Sequence, residues 1–199
     1  MFITFEGGEG TGKSTQAGLL ADALAARGHA VLRTREPGGS PGAERLREVL
    51  LGGTGWAPLA ETLLHFAARA EHVAYTMRPA LEAGLIVVCD RFTDSTVAYQ
   101  GYGQGADLAM IGTLAGWIGL RPDLTLVLRV EREVARARMA GRAGDRYERE
   151  TEAFHERVAQ GYRSVAAADP GRCVEIEAGG TREAVHEAVM EAVLERLRG

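Results

Sequence analysis

Apolar residues recur along this chain in two rhythms. Residues 2–6 form a short β-prone run that leads into a glycine-rich turn. Over residues 14–27 the period lengthens: Leu19, Leu20, Ala23 and Leu24 fall on one helical stripe, and Gly28 stops it. A second strand is expected over 30–34, a Pro/Gly loop over 35–42, a helix over 43–51 and a long helical stretch over 58–83. Residues 85–89 are a continuous apolar run, the pattern of a strand buried on both faces, and 124–130 is read as another such strand. Helices over 132–139, 150–168 and 181–197 and a strand over 173–176 complete the pattern, with Gly141 and Gly144 breaking it inside an arginine-rich stretch.

Strands alternating with helices predict an α/β fold: a parallel sheet of about five strands with helices on both faces and right-handed crossovers. Ligands of such sheets bind at the carboxyl ends of the strands, so the chemistry should gather on one rim. No repeat, low-complexity tract or linker divides the 199 residues. A single domain over 1–199 is expected, with a small lid at about 139–150.

Composition narrows the function classes. Lys plus Arg is 23 and Asp plus Glu is 27, a net charge of −4. That balance argues against a nucleic-acid partner, which needs broad phosphate neutralisation. The longest apolar run, 85–89, is far too short to span a bilayer, so no membrane partner is expected. The opening residues have no basic n-region, and the 2 cysteines cannot build a disulfide framework. A cytoplasmic location follows as the expectation.

Gly7-Gly8-Glu9-Gly10-Thr11-Gly12-Lys13-Ser14 fits G-x-x-x-x-G-K-[ST] between a strand and a helix, and Thr15 follows it into that helix. Glycines let successive amides turn inward around phosphate oxygens, and the helix N-terminus adds free N–H groups and the positive dipole end. Lys13 can reach the β- and γ-phosphates and Ser14 can ligate Mg²⁺, so ATP with Mg²⁺ is the implied donor. Lys13 is the only lysine in a chain that otherwise uses arginine, and asparagine is absent. A GTPase base-recognition motif therefore cannot occur here. A small-molecule P-loop kinase fits best; a nucleotide-dependent switch is the reading from another class.

A second set of residues suits an acceptor anion. Asp90 closes the buried run 85–89, where it can hold Mg²⁺ through water or position the attacking phosphate. Arg91 beside it can clamp an anion bidentately, and Arg35 lies after the second strand on the same rim. Thr96, Tyr99 and Gln100 stand at i, i+3, i+4, a face that suits a nucleobase and sugar or equally a solvated helix. Arg69 follows His65 by four residues, so both can face one ligand. Arg138, Arg142 and Arg146 bracket the glycine-rich breaker, as a closing lid would require.

These stretches together resemble the thymidylate kinases of the bacterial type. The matching segments are residues 5–16, Thr34-Arg35-Glu36-Pro37-Gly38-Gly39, Asp90-Arg91-Phe92 with Ser95, Ala98-Tyr99-Gln100-Gly101, Arg121-Pro122-Asp123-Leu124-Thr125 and Asp145-Arg146-Tyr147-Glu148. The resemblance implies transfer of the ATP γ-phosphoryl group to dTMP with Mg²⁺, the metal held by Ser14 and Asp90. It implies that Arg35 and Arg91 bind the dTMP phosphate, and that Glu9 meets the 3′-hydroxyl. Arg69 and Thr96 would read the base, beside Gln100 on the same face, and Tyr99 would crowd the 2′ position. Lys13, Asp90 and Arg91 would then be catalytic, with Arg142 and Arg146 as the lid arginines, because the phosphate loop contains none. A homodimer through packed helices is also implied. Three positions depart from the family pattern. His65 stands where a thymine-stacking phenylalanine is usual, so either His65 stacks or Phe66 takes over, and base affinity would follow pH if His65 titrates. Ala68 and Arg129 each replace a common aspartate.

Overall fold

The computed structural model describes residues 1–52, 55–140 and 146–198. Five strands form one parallel sheet in the order β2-β3-β1-β4-β5: β1 (Phe2–Glu6), β2 (Val31–Arg35), β3 (Ile86–Asp90), β4 (Leu124–Arg129) and β5 (Cys173–Glu177). Side-chain alternation sends Ile3, Phe5, Ile86, Val88, Leu124, Leu126 and Ile176 to one face. There they pack on α1 (Lys13–Ala25), through Leu20 and Leu24, and on α9 (Arg182–Arg198), through Val189 and Val193. Phe2, Val87, Cys89 and Val127 point to the opposite face, which other helices cover. The central strands β1, β3 and β4 are thus buried on both faces, while the edge strands β2 and β5 are partly exposed.

Between β2 and β3 lie α2 (Pro41–Leu51), α3 (Pro58–His72), a π-helical turn Val73–Met77 and α4 (Arg78–Glu82). The single long helix expected over 58–83 is therefore interrupted. Pro79 supplies no N–H, and the turn just before it widens so that the Arg78 N–H reaches Val73 O, five residues back. The stretch after β3 is likewise not a plain α-helix: α5 (Thr93–Thr96) passes into a π-helix, Val97–Gly103. A helix that the pattern did not announce, α6 (Leu108–Ile118), starts at Asp107, whose carboxylate accepts the Ala109 N–H at 2.8 Å. Then come α7 (Arg132–Met139), a 3₁₀ turn Tyr147–Arg149 and α8 (Glu152–Ala168). Of the expected lid at 139–150, residues 141–145, Arg142 among them, lie outside the described residues.

The order places β1 at the centre, with β3 on one side and β4 on the other. The register then sets Arg35 beside Asp90 and Asp90 beside Phe5, in one row at the carboxyl rim. This is the crevice where the connection order reverses.

Candidate active site

The loop leaving β1 needs glycine at specific points. Gly7, Gly10 and Gly12 have φ of 133°, 72° and 93°, and a Cβ on Gly10 would lie 2.6 Å from the Ala135 carbonyl oxygen. Gly12 caps α1 without a side-chain acceptor, leaving the first-turn N–H groups to an anion. Lys13 is buried, and its ammonium donates to Gly8 O at 2.6 Å. Thr11 closes the same turn with a hydroxyl bond to Gly8 O at 3.0 Å. Burial, then the Arg91 charge, holds the Lys13 pKa below its ordinary value. Ser14 and Thr15, at the start of α1, are exposed.

The Ser14 hydroxyl donates to Asp90 Oδ2 at 2.5 Å, while Asp90 Oδ1 is buried with no partner. Two hard oxygens thus meet, one with an unused acceptor. The described residues hold no cluster of three or more His, Cys, Asp or Glu side chains that would cage a metal. The pair fits Mg²⁺, which keeps waters and takes one or two protein oxygens plus phosphate oxygens.

Among the described residues Arg91 is the one non-glycine with positive φ, 71°, a left-handed conformation that costs about 1 kcal/mol. Its guanidinium is held from several sides: Nη1 donates to Gly7 O, Ser95 Oγ and the Tyr162 hydroxyl at 3.0–3.2 Å, and Nη2 to Glu9 Oε1 at 2.6 Å and the Tyr99 hydroxyl at 3.2 Å. Tyr99 also donates to Glu9 Oε1 at 2.8 Å. Burial alone would raise the Glu9 pKa, but Arg91 and Lys13 overcome it and hold the carboxyl down at about 2. Glu9, Arg91 and Tyr99 therefore form one hydrogen-bonded cluster. Arg35 is half-exposed and pairs with both oxygens of Glu44 at 3.0 and 3.1 Å.

Arg69 is 2% exposed. Its Nε donates to Glu36 Oε2 at 2.7 Å, and both Nη atoms lie 3.2 Å from Thr96 Oγ1. Glu36 thus supplies the carboxylate that Ala68 cannot, and His72 Nδ1 shares its other oxygen at 3.0 Å. Phe66 is buried, with the Arg69 guanidinium 4.9 Å from its ring centroid, and does not line the cleft; His65 does. Of the two stacking alternatives, only His65 faces ligand space. Enclosure, then the Arg69 charge, pushes the His65 pKa down to about 3, so the ring stays neutral near neutral pH. A base affinity that follows His65 titration is therefore not expected near neutral pH.

Tyr147 reaches into this region from the segment before α8. Its hydroxyl donates to Glu61 Oε1 at 2.6 Å and lies 3.0 Å from His65 Nε2 and 3.1 Å from Gln100 Nε2. Glu61, fully buried on α3, also pairs with Arg146 Nη2 at 2.5 Å. Arg146 is therefore placed on Glu61 and over the Tyr147 ring, at 4.7 Å, rather than over the phosphate loop. Arg129 pairs across strands with Glu175 at 2.9 Å, both largely exposed, and takes no part in the cleft.

One cleft of about 300 Å³ gathers Glu9, Lys13, Ser14, Asp90 and Arg91 with Arg35, His65, Arg69, Thr96, Tyr99 and Gln100. Glu36, Arg47, Ser95 and Tyr147 line it too, without having been assigned roles from the sequence. Arg47 had a signal: it follows Glu44 by three residues on α2, so it shares the face turned to Arg35. The contacts of Glu36 and Glu61 run between residues 33 or more apart, which no local pattern encodes.

The thymidylate kinase family model matches residues 5–189. A thymidylate kinase of Gluconobacter oxydans is 55% identical over 99% of this chain and 95% of its own length. One of Caulobacter vibrioides is 49% identical over 98% and 97%. The crystal structure of thymidylate kinase from Ehrlichia chaffeensis superposes with a TM-score of 0.82 at 35% identity, covering 97% of this chain and 98% of that one. The chain belongs to the thymidylate kinase family.

Proposed function

We propose that this chain transfers the γ-phosphoryl group of ATP to dTMP, giving dTDP and ADP. The observation that carries the reading is the shared cleft: a phosphate loop with its lysine faces a second anion site built from Arg35 and Arg91. A switch protein has no second phosphate to hold. The amides of Gly7, Gly8, Glu9, Gly10, Thr11 and Gly12, with Lys13, Ser14 and Thr15, bind the ATP phosphates. Ser14 and Asp90 would hold Mg²⁺, which when bound would neutralise charge on the donor phosphates. Arg91 and Arg35 hold the dTMP phosphate in line; Arg35 exchanges its Glu44 partner for it. His65 lies flat against the base, Arg69, Thr96 and Gln100 line its polar edge, and Tyr99 and Glu9 meet the sugar. Phe66 supports the base site only through Arg69. No general base is needed, because the attacking phosphate is already ionised at neutral pH. Arg142 and Arg146 bring positive charge to the transition state on lid closure, which requires Arg146 to leave Glu61.

The test is ADP release with ATP and Mg²⁺ for dTMP, dUMP, UMP, dCMP and AMP. Loss of one methyl should cost dUMP about 10- to 150-fold in kcat/KM against dTMP. Equal turnover of all five, or of none, sinks the assignment.

We also propose a single catalytic domain over 1–199 that works as a homodimer in the cytoplasm. Leu59, Leu63, Tyr75, Leu108 and Trp117 are exposed on α3, the π turn and α6, with Trp117 at 80%. Such a row of large apolar side chains on adjoining helices fits an isologous interface. Light scattering should give twice the chain mass, and Trp117→Glu should halve it; a monomeric parent refutes the dimer. The described residues contain no helix long and apolar enough to cross a membrane, and both cysteines are free, which supports a reducing compartment.

A further inference from the structure

Behind the hydroxyls that meet the acceptor-facing guanidinium lies a buried carboxylate to which the phosphoryl transfer assigns no role. Glu6, the last residue of β1, is fully buried. Its Oε1 accepts the Phe92 N–H at 2.8 Å, directly after Arg91. Its Oε2 accepts the Ser95 hydroxyl at 2.5 Å and the Tyr162 hydroxyl at 3.2 Å. These two hydroxyls are the same ones that receive Arg91 Nη1, at 3.2 and 3.0 Å.

Each hydroxyl has one hydrogen. With Glu6 ionised, both hydrogens point at the carboxylate, and both oxygens turn lone pairs to the arginine. A proton on Glu6 cannot sit on Oε1 without meeting the Phe92 N–H, so it belongs on Oε2. There it must be donated to Ser95 or Tyr162. That hydroxyl then turns its hydrogen from the carboxylate to the other hydroxyl, 2.9 Å away. Protonation thus removes the charge that orders both hydroxyls with their lone pairs toward Arg91, and the grip on the guanidinium loosens.

We propose that Glu6 is a positioning residue for the acceptor anion: through Ser95, Tyr162 and the Phe92 N–H it holds Arg91 in its left-handed turn with the guanidinium aimed into the cleft. The proposal rests on the reading above that Arg91 binds the dTMP phosphate.

The groups around Glu6 are Asp94 and Ser95 from α5, Tyr162 from α8, Arg91 and Lys13 from the rim, and Cys89 and Cys173 from β3 and β5. Asp94 is itself bound by Arg172 at 2.6 Å. Burial, then the Asp94 charge, raises the Glu6 pKa to about 7 against the pull of Ser95 and Arg91. Its protonation therefore changes within the range where the enzyme can be assayed. Grip on the acceptor should weaken as pH falls through about 7.

The experiment compares the parent enzyme and Glu6→Gln from pH 5.5 to 8.5, reading kcat and the KM of each substrate. Loss of a hydrogen bond to a charged group predicts a dTMP KM raised about tenfold or more in the variant at pH 8, with the KM for ATP within about twofold. The parent's rise in dTMP KM around pH 7 should be absent from the variant. The second ionisation of the dTMP phosphate, at about pH 6, is common to both enzymes and cancels in their ratio. A variant with the parent's dTMP KM and the parent's pH profile overturns the proposal while leaving the kinase reading intact. No dTMP turnover by the parent overturns both. Should Glu6→Gln fail to fold, Tyr162→Phe removes one bridge without touching the buried charge. It should raise the dTMP KM about threefold, and an unchanged KM refutes the bridge.

Discussion

Lys13→Ala is expected to lower kcat with dTMP at least about a thousandfold, the upper end of what loss of one preorganised charge-stabilising donor costs. The ammonium is held inside the phosphate loop by Gly8 O and Thr11 Oγ1, at 2.6 and 3.4 Å. It is thus already in place when the donor's terminal phosphates arrive. Arg91 and Arg35 belong to the acceptor side, so neither replaces it. Stability should change little, by about 1 kcal/mol, because Glu9 keeps Arg91 and Asp90 keeps Ser14. Lys13→Arg should not rescue the rate: a planar fork cannot occupy the space of a compact ammonium buried in a tight loop. ADP release measured at saturating ATP, beside a melting curve, separates a lost charge from a lost fold. A variant that retains kcat within tenfold of the parent would mean that the donor phosphates sit elsewhere.

Features written in local spacing were legible in the sequence. The five strands, the phosphate loop and the Asp90-Arg91 turn each follow from residues that are neighbours in the chain, and each is found within one or two residues of its expected bounds. Strand order is not local: nothing in β1 says that β3 and β4 flank it, and only the parallel register puts Arg35, Asp90 and Phe5 in one row. The helix α6 escaped notice for a different reason. Its sequence, LAMIGTLAGWI, is apolar at most positions, and only Ile111 is fully buried. An apolar helix carrying Gly112 and Gly116, and lacking a polar face, shows no stripe to count. The cleft residues were legible where a residue type is forced by its chemistry, as for Lys13 and Arg91, whereas Arg69 was given its role only by the family resemblance. The buried carboxylates around the cleft were not legible: Glu36 under Arg69, Glu61 under Arg146, and Glu6 behind the hydroxyls that meet Arg91. A buried glutamate looks like a surface one until its partner, tens of residues away, is seen beside it.

The second large effect concerns one of those carboxylates. Arg69→Met is expected to destabilise the protein by about 3 kcal/mol, the low end for stripping a buried ion pair of one partner. Glu36 is 6% exposed and accepts Arg69 Nε at 2.7 Å and His72 Nδ1 at 3.0 Å. Methionine fills much of the volume left between Phe66 and Phe92, whose ring centroids lie 4.9 and 5.1 Å from the guanidinium carbon. The loss is therefore electrostatic more than steric. His72 still bonds Glu36, which keeps the cost at that low end. Removing the charge from both sides should then recover part of it. Arg69→Met with Glu36→Gln is expected to be more stable than Arg69→Met alone, because an amide left without its cation is cheaper to bury than a carboxylate. Activity should not recover with it. Thr96 Oγ1 loses both of its Arg69 donors in either variant, so the dTMP KM should stay raised by about tenfold or more. Urea unfolding of the parent, the two single variants and the double variant gives the coupling, and the dTMP KM of each gives the function. If the double variant is no more stable than Arg69→Met, the Glu36 charge is not what the arginine neutralises. If its dTMP KM returns to the parent's, Arg69 serves the fold alone and the base is read by other residues.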